Sequence, residues 1–389
     1  MNIARNQLIN EITDALNRSP VCLLQGPRQS GKTWLARQFP VKQGNYFDLE
    51  NLVDQRRLEN DPQGELARLH GLVVIDEAQR LPELFPLLRY LADRPANPAR
   101  FLLLGSVAPR LLKGVTESLA GRVAHVGIAG FNVGEIEPEH HETLWVQGGL
   151  PPAFLKDASA SFSWRLDYLR SLIELDLRDL TSTRVPPAAL RRLLQLLAQS
   201  HGQVWNHAGA ARLLSVDAKT VQRYIELLEG ALLIRLLPPL ERNLNKRLRK
   251  APKLYFRDAG LAHALLSIRI FQDLNTHPLY GASWEGFALE QVIRTLGLRE
   301  EECFTYAVHS GDEMDLVVER GGRAYGFDFK ASASPGLTAS MRNAALDLKL
   351  EHVFVVFPGI QEHGYRLSDN IEALPVHELA ALRARWEIS

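Results

Sequence analysis

Short apolar runs alternate with amphipathic stretches through the first 130 or so residues. Val21-Cys22-Leu23-Leu24, Leu72-Val73-Val74-Ile75 and Phe101-Leu102-Leu103-Leu104 are each flanked by glycine or polar residues. Continuous runs this short suit strands buried on both faces, and the stretches between them suit crossover helices. The rhythm predicts a parallel sheet covered by helices. From about 141 to 200 the spacing turns helical, with Tyr168-Leu169, Leu172-Ile173, Leu193-Leu194 and Leu196-Leu197. Pro186-Pro187 marks a boundary there, because proline is tolerated at a helix start and not within it. Residues 190–240 read as a compact helical unit that ends in an apolar stretch, Ala231 to Leu237. From 254 to 389 strands and helices mix again, including His352-Val353-Phe354-Val355-Val356-Phe357.

Composition narrows the class. A chain of 389 residues makes two to three domains at roughly 150 residues each. With 46% hydrophobic and 23% charged residues it has ample material for packed cores. Lys+Arg and Asp+Glu balance at 45 each, which excludes a uniformly basic nucleic-acid coat or an acidic tail but leaves room for a local basic patch. Cys22 and Cys303, far apart, make neither a disulfide framework nor a cysteine zinc site. No run approaches the roughly 18 apolar residues of a membrane span, and the first residues lack the apolar core of a signal peptide. The expectation is a cytoplasmic protein without a membrane partner.

The chemistry begins at Gly26-Pro27-Arg28-Gln29-Ser30-Gly31-Lys32-Thr33, which fits G-x-x-x-x-G-K-S/T. Such a loop turns backbone N–H groups around phosphates, with the lysine on the terminal phosphates and the threonine hydroxyl on magnesium. The apolar run before it and the helix-like Trp34 to Phe39 after it supply the strand–loop–helix setting, in which the helix N-terminus adds its own field for anions. A second element supports the first: Leu72 to Ile75 runs into Asp76-Glu77, two carboxylates at the C-terminal end of a buried strand, where parallel sheets bind ligands. Asp76 would hold magnesium and Glu77 would polarise the attacking water. The ordinary alternative is that the two acids begin a helix. The third strand ends in Gly105-Ser106, where the serine either touches the γ-phosphate or closes a turn. Arg122 reads equally as a surface arginine or as one reaching a neighbour's γ-phosphate.

Together these residues carry a resemblance. The loop, Ile75-Asp76-Glu77-Ala78-Gln79-Arg80, Leu104-Gly105-Ser106 and Ser118-Leu119-Ala120-Gly121-Arg122 resemble bacterial and archaeal AAA-type ATPases with a C-terminal domain of unknown function. The likeness continues in Gly148-Gly149-Leu150-Pro151, in Pro252 to Leu261, and in Gly281 with Glu285, and so covers nearly the whole chain. It implies ATP and Mg2+ as ligands, Lys32 and Thr33 on phosphate and magnesium, and Asp76 and Glu77 as the Walker B pair. It also implies Ser106 as a sensor, Arg122 as an arginine finger, and assembly into a homo-oligomeric ring.

Residues 190–240 further read as a winged helix, with helices at Leu190–Gln199, His207–Leu214 and Lys219–Glu229. Val221, Tyr224, Ile225 and Leu228 give the third a buried stripe. Lys219, Thr220, Gln222 and Arg223 lie near its start, where a recognition helix meets bases and phosphates. A basic stretch follows, carrying Arg242, Lys246, Arg247, Arg249, Lys250 and Lys253 without an acid. Both features are compatible with DNA contact, or with a lid, a protein interface or a solvated face.

Near the C-terminus, Asp315 to Glu319 and Ala324 to Lys330 flank Gly321-Gly322, a strong two-residue hairpin signal. With that pair as the loop, Arg320 faces Arg323 and Asp315 faces Asp328, with Lys330 on the same side as Asp328. Facing carboxylates destabilise a sheet by up to about 1 kcal/mol unless a cation lies between them. Asp…Asp-x-Lys resembles the PD-(D/E)XK nuclease site, in which two acids hold magnesium. By that likeness Asp315 and Asp328 are metal ligands, Lys330 orients the nucleophile, and Glu285 is the helix glutamate. A solvated Asp328–Lys330 pair is the plain alternative. His140, His141, His309, His352 and His363 show no metal-ligand spacing.

The expected architecture is α/β. An AAA-type P-loop domain with a helical extension spans 1–185, a winged-helix unit spans 186–240, and an α/β nuclease-like domain spans 241–389. The leading functional expectation is a magnesium-dependent ATPase coupled to DNA-associated activity. The alternatives are an ATP-gated, metal-dependent nuclease and an ATP-switched protein-interaction module that cuts nothing.

Overall fold

A computed structural model describes residues 3–95, 99–106, 115, 117–176, 186–241, 248, 250–309, 311–359 and 362–387. The chain forms two compact units, residues 1–130 with 230–232, and residues 131–229 with 233–389.

The first unit is built on five strands: β1 (Val21–Gly26), β2 (Tyr46–Asp48), β3 (Gly71–Asp76), β4 (Ala99–Ser106) and β5 (Val123–Gly127). Their order is β2-β3-β4-β1-β5 and every pairing is parallel. The three apolar runs are β1, β3 and β4, and all their central residues are fully buried, as strands covered on both faces must be. Helix α1 (Asn6–Arg18) lays Leu8, Ile12, Ala15 and Leu16 on one face, where they join Cys22, Leu24, Leu102, Leu104 and Val126 in a single core. Because β4 lies between β1 and β3, the C-terminal ends of all three share one edge of the sheet. Gly26 pairs with Ser106, and Ile75 with Leu103.

In the second unit, helices at Pro187–Gln199, His207–Leu214 and Ala218–Gly230 lead to a small antiparallel sheet. It consists of β6 (Gln203–Val204), β7 (Ile234–Leu237) and β8 (Lys253–Phe256), ordered β6-β8-β7. The third helix buries Val221, Ile225 and Leu228, as its periodicity predicts, and leaves Tyr224 half-buried. The helix Tyr280–Thr295 then precedes a six-stranded mixed sheet. Its strands are β9 (Cys303–Ala307), β10 (Glu313–Arg320), β11 (Arg323–Phe329), β12 (His352–Phe357), β13 (Tyr365–Ser368) and β14 (Ile371–Pro375), in the order β13-β14-β12-β11-β10-β9. The β10–β11 hairpin has the expected register: Arg320 pairs with Arg323 and Leu316 with Phe327, which sets Asp315 and Asp328 one step further on. Gly321 and Gly322 take φ of 59° and 77°, the left-handed pair that a type I′ turn demands. The strand β12 joins parallel to β11, and Met341 and Ala344 of the helix Ala339–Leu348 pack with Met314, Val317 and Val353 in one core.

Candidate functional site

At the C-terminal edge of the first unit's sheet, β1 ends at Gly26, and α2 (Lys32–Ala36) begins after Gly31, which has φ 95°. A Cβ on Gly26 would lie 2.3 Å from the Ile128 carbonyl, so only glycine lets the backbone pass there. Arg5, almost fully buried, fixes the loop from behind. Its guanidinium donates to the carbonyls of Ser30 (3.1 Å), Ala129 (3.1 Å) and Gly130 (3.0 Å). The Lys32 ammonium turns back on the loop and donates to the carbonyls of Gly26 (3.0 Å) and Pro27 (2.9 Å). Burial lowers its pKa to about 8, against the pull of Glu77 and Asp76.

Asp76 closes β3 and collects hydroxyls. Thr33 donates to its Oδ2 at 2.8 Å, Tyr46 donates to the same oxygen at 2.8 Å, and the Glu77 amide donates to Oδ1 at 3.0 Å. Neighbouring oxygens around an octahedral magnesium with bonds of about 2.1 Å lie about 3 Å apart. The Thr33–Asp76 spacing therefore fits that ion. Glu77 does not start an α-helix. It sits at φ 54° before a single 3-10 turn, Ala78–Arg80, and its carboxylate accepts from Gln79. Left-handed backbone at a non-glycine residue costs about 1–2 kcal/mol and concentrates at functional positions. Burial raises the Glu77 pKa.

Of the residues expected around the phosphates, the loop, Asp76 and Glu77 come together on this edge. The backbone of Ser106 ends β4 beside Gly26, while its side chain lies outside the described residues. Arg122 stands elsewhere. It precedes β5, its carbonyl accepts from the Val21 amide at the start of β1, and its guanidinium pairs with Asp93 at 2.5 Å. Five strand residues at about 3.3 Å each put it roughly 16 Å from its own loop, at the opposite edge of the sheet. Arg5 and Tyr46 were not foreseen. Tyr46 begins a three-residue strand without a motif, and Arg5 makes its bonds to backbone, which leaves no trace in side-chain pattern.

In the second unit, Lys219, Gln222 and Arg223 are exposed on the helix Ala218–Gly230. Thr220 is half-buried at the start of the same helix. Its amide and hydroxyl both donate to Asp217, at 2.8 and 2.7 Å, which caps the helix start. Gln222 reaches Glu226 at 2.9 Å. Arg242, Lys246, Arg247 and Arg249 lie outside the described residues, and Lys250 is exposed.

Lys253 departs most from expectation. Its place in a basic stretch suggests a surface lysine, yet it is 9% exposed. Strand β8 is buried along its length, and alternation turns Lys253 and Tyr255 to the same side. The Lys253 ammonium donates to Glu285 Oε1 at 2.9 Å and to Asp315 Oδ1 at 3.0 Å, and the Tyr255 hydroxyl donates to the same Glu285 oxygen at 2.6 Å. The other Asp315 oxygen accepts from the Phe329 amide at 3.1 Å. Lys330 stands 2.6 Å from Asp328 Oδ1. Burial and the Asp315 charge raise Glu285 to about 7 and Asp328 to about 6, in each case against the nearby lysine. The expected metal ligands Asp315 and Asp328 are thus neighbours whose carboxylates serve two different lysines. Among the described residues, no group of three His, Cys, Asp or Glu side chains is arranged to hold a metal ion. No described helix is long and apolar enough to cross a membrane.

Comparisons with known proteins divide the chain in three. An AAA domain matches residues 18–137, one domain of unknown function (DUF8612) matches 138–271, and another (DUF4143) matches 280–379. Two relatives, uncharacterized protein Rv2008c of Mycobacterium tuberculosis and uncharacterized protein Mb2031c of Mycobacterium bovis, are each 44% identical over 381 residues, 97% of this chain and 85% of theirs. Among solved structures, the Walker-type ATPase PABY2304 of Pyrococcus abyssi is 19% identical with a TM-score of 0.46, covering 68% of this chain and 96% of that one. The DNA clamp loader delta protein of Bacillus subtilis is 15% identical with a TM-score of 0.25, covering 57% and 88%.

Proposed function

The chain belongs to the family of the two mycobacterial proteins, and we propose that its AAA domain binds and hydrolyses ATP with magnesium. The observation that carries this reading is the joint placement of the 26–33 loop, Thr33 with Asp76, and Glu77 on one edge of a parallel sheet. A triphosphate would take over the amides of the loop. Lys32, released from the Gly26 and Pro27 carbonyls, would neutralise charge on the transferred phosphoryl group. Thr33 and Asp76 would hold magnesium, which when bound screens the phosphate charge. Glu77 would accept a hydrogen bond from the attacking water and align it. The test is Glu77→Gln, which keeps the shape and loses the charge. ATP binding stays within about threefold while turnover falls by at least about a hundredfold. Turnover near the parent rate would contradict the assignment of the water to Glu77.

We read residues 186–240 as a winged-helix unit, supported by the order of three helices and by β7, which pairs antiparallel with β8. We read 280–357 as a PD-(D/E)XK-like core, supported by the order helix, three antiparallel strands, helix and parallel strand. For this second unit the interaction-module alternative is the better supported of the three, because the acids that a nuclease would place on metal are engaged by lysines. Exposed Lys219, Gln222 and Arg223 leave a DNA or protein partner open to the helix Ala218–Gly230, and a DNA partner would be released by salt.

A further inference from the structure

We infer that the Lys253 ammonium is the resident cation of the Glu285–Asp315 carboxylate pair, so that this cluster is closed to divalent metal in the native chain. The inference rests on reading 280–357 as nuclease-like only for the comparison it draws, since the lysine contacts stand without it.

Three acids, Glu285, Asp315 and Asp328, converge at the open end of the β10–β11 hairpin and the start of the helix Tyr280–Thr295. Asp315 and Asp328 are 5% and 4% exposed. Buried carboxylates are costly unless paired. Two lysines answer them from different places. Lys330 comes from the hairpin itself and sits at Asp328. Lys253 comes from β8 and bonds both Glu285 and Asp315 with one ammonium. The second Asp315 oxygen accepts the Phe329 amide, which fixes the carboxylate's orientation toward Lys253. A magnesium or manganese ion needs oxygens at about 2.1 Å, and here one oxygen each of Glu285 and Asp315 already accepts from the Lys253 ammonium. To enter, it must displace a cation that the chain delivers covalently and that burial holds in place. The result is a salt-bridged joint between β8, the helix and β10, in a place where a metal would otherwise sit.

Manganese titration of the nucleotide-free full chain, read by loss of the free-ion electron paramagnetic resonance signal, tests this. Native chain and Asp315→Asn bind manganese alike, because Asp315 contributes no metal site. Lys253→Met, which keeps the apolar stem and removes the charge, gains one manganese ion at least tenfold more tightly than any site in the native chain. The gained site raises the melting temperature and disappears in Lys253→Met/Asp315→Asn. A native-chain site that is lost in Asp315→Asn would overturn the inference, and so would a folded Lys253→Met that gains none. The comparison of native chain with Asp315→Asn decides the matter even where Lys253→Met does not fold. None of these readouts involves ATP, so failure here is distinct from failure of the ATPase reading.

Discussion

Lys32 is a buried ammonium resting on two carbonyls, with its pKa down at about 8. An unfolded lysine titrates near 10.4, so between those values the unfolded chain binds more protons than the folded one. The buried charge thus costs stability at neutral pH, and that cost fades as pH rises through about 8. A bound triphosphate prefers the charged form and must take up a proton once Lys32 has lost it. ATP affinity is therefore flat near pH 7 and falls about tenfold between pH 7 and pH 9. Fluorescent-nucleotide titration across that range reads it, and constant affinity to pH 9 would show that Lys32 stays charged without its ligand. Tyr46 offers a gentler probe. Tyr46→Phe removes one of the two hydroxyls on Asp76 and keeps the ring, so it costs about 1 kcal/mol of stability. Magnesium-dependent turnover survives, because Thr33 remains.

Two turns show what a single element can demand of glycine. In the β10–β11 hairpin both loop residues are left-handed, so Gly322→Val costs about 1–2 kcal/mol, read as a lower urea midpoint with unchanged slope. At the end of β1, Gly26→Ala puts a methyl group against the Ile128 carbonyl, which cannot move without shifting the chain. The loop must give instead, and ATP affinity falls more than tenfold while the fold persists. These elements were also those most legible in the sequence. An apolar run between breakers identifies β1, β3 and β4, and two adjacent glycines fix the hairpin register to the residue. Short edge strands were not legible: β2 and β5 are half-polar and gain their identity from neighbours far along the chain. Lys253 was misread for the same reason. Charge density along the sequence groups it with Lys250, while strand alternation and two acids distant in sequence bury it.

Across the whole molecule, the placement of Arg122 raises a question of assembly. At the far edge of the sheet it cannot serve its own loop, so a role in hydrolysis requires a second copy of the chain. Glu77→Gln keeps Arg122 and loses the water-aligning carboxylate, and Arg122→Ala does the opposite. A mixture of the two recovers turnover that neither has alone if the arginine acts on a neighbour. A mixture as inactive as its parts would make Arg122 the partner of Asp93 and nothing more. All such roles presuppose a triphosphate in the first unit. Calorimetric titration of magnesium and ATP into the native chain and into Lys32→Ala tests that most directly. Saturable one-to-one binding in the native chain, weakened at least a hundredfold in Lys32→Ala, is the predicted result. Equal binding by both, or none by the native chain, would contradict it.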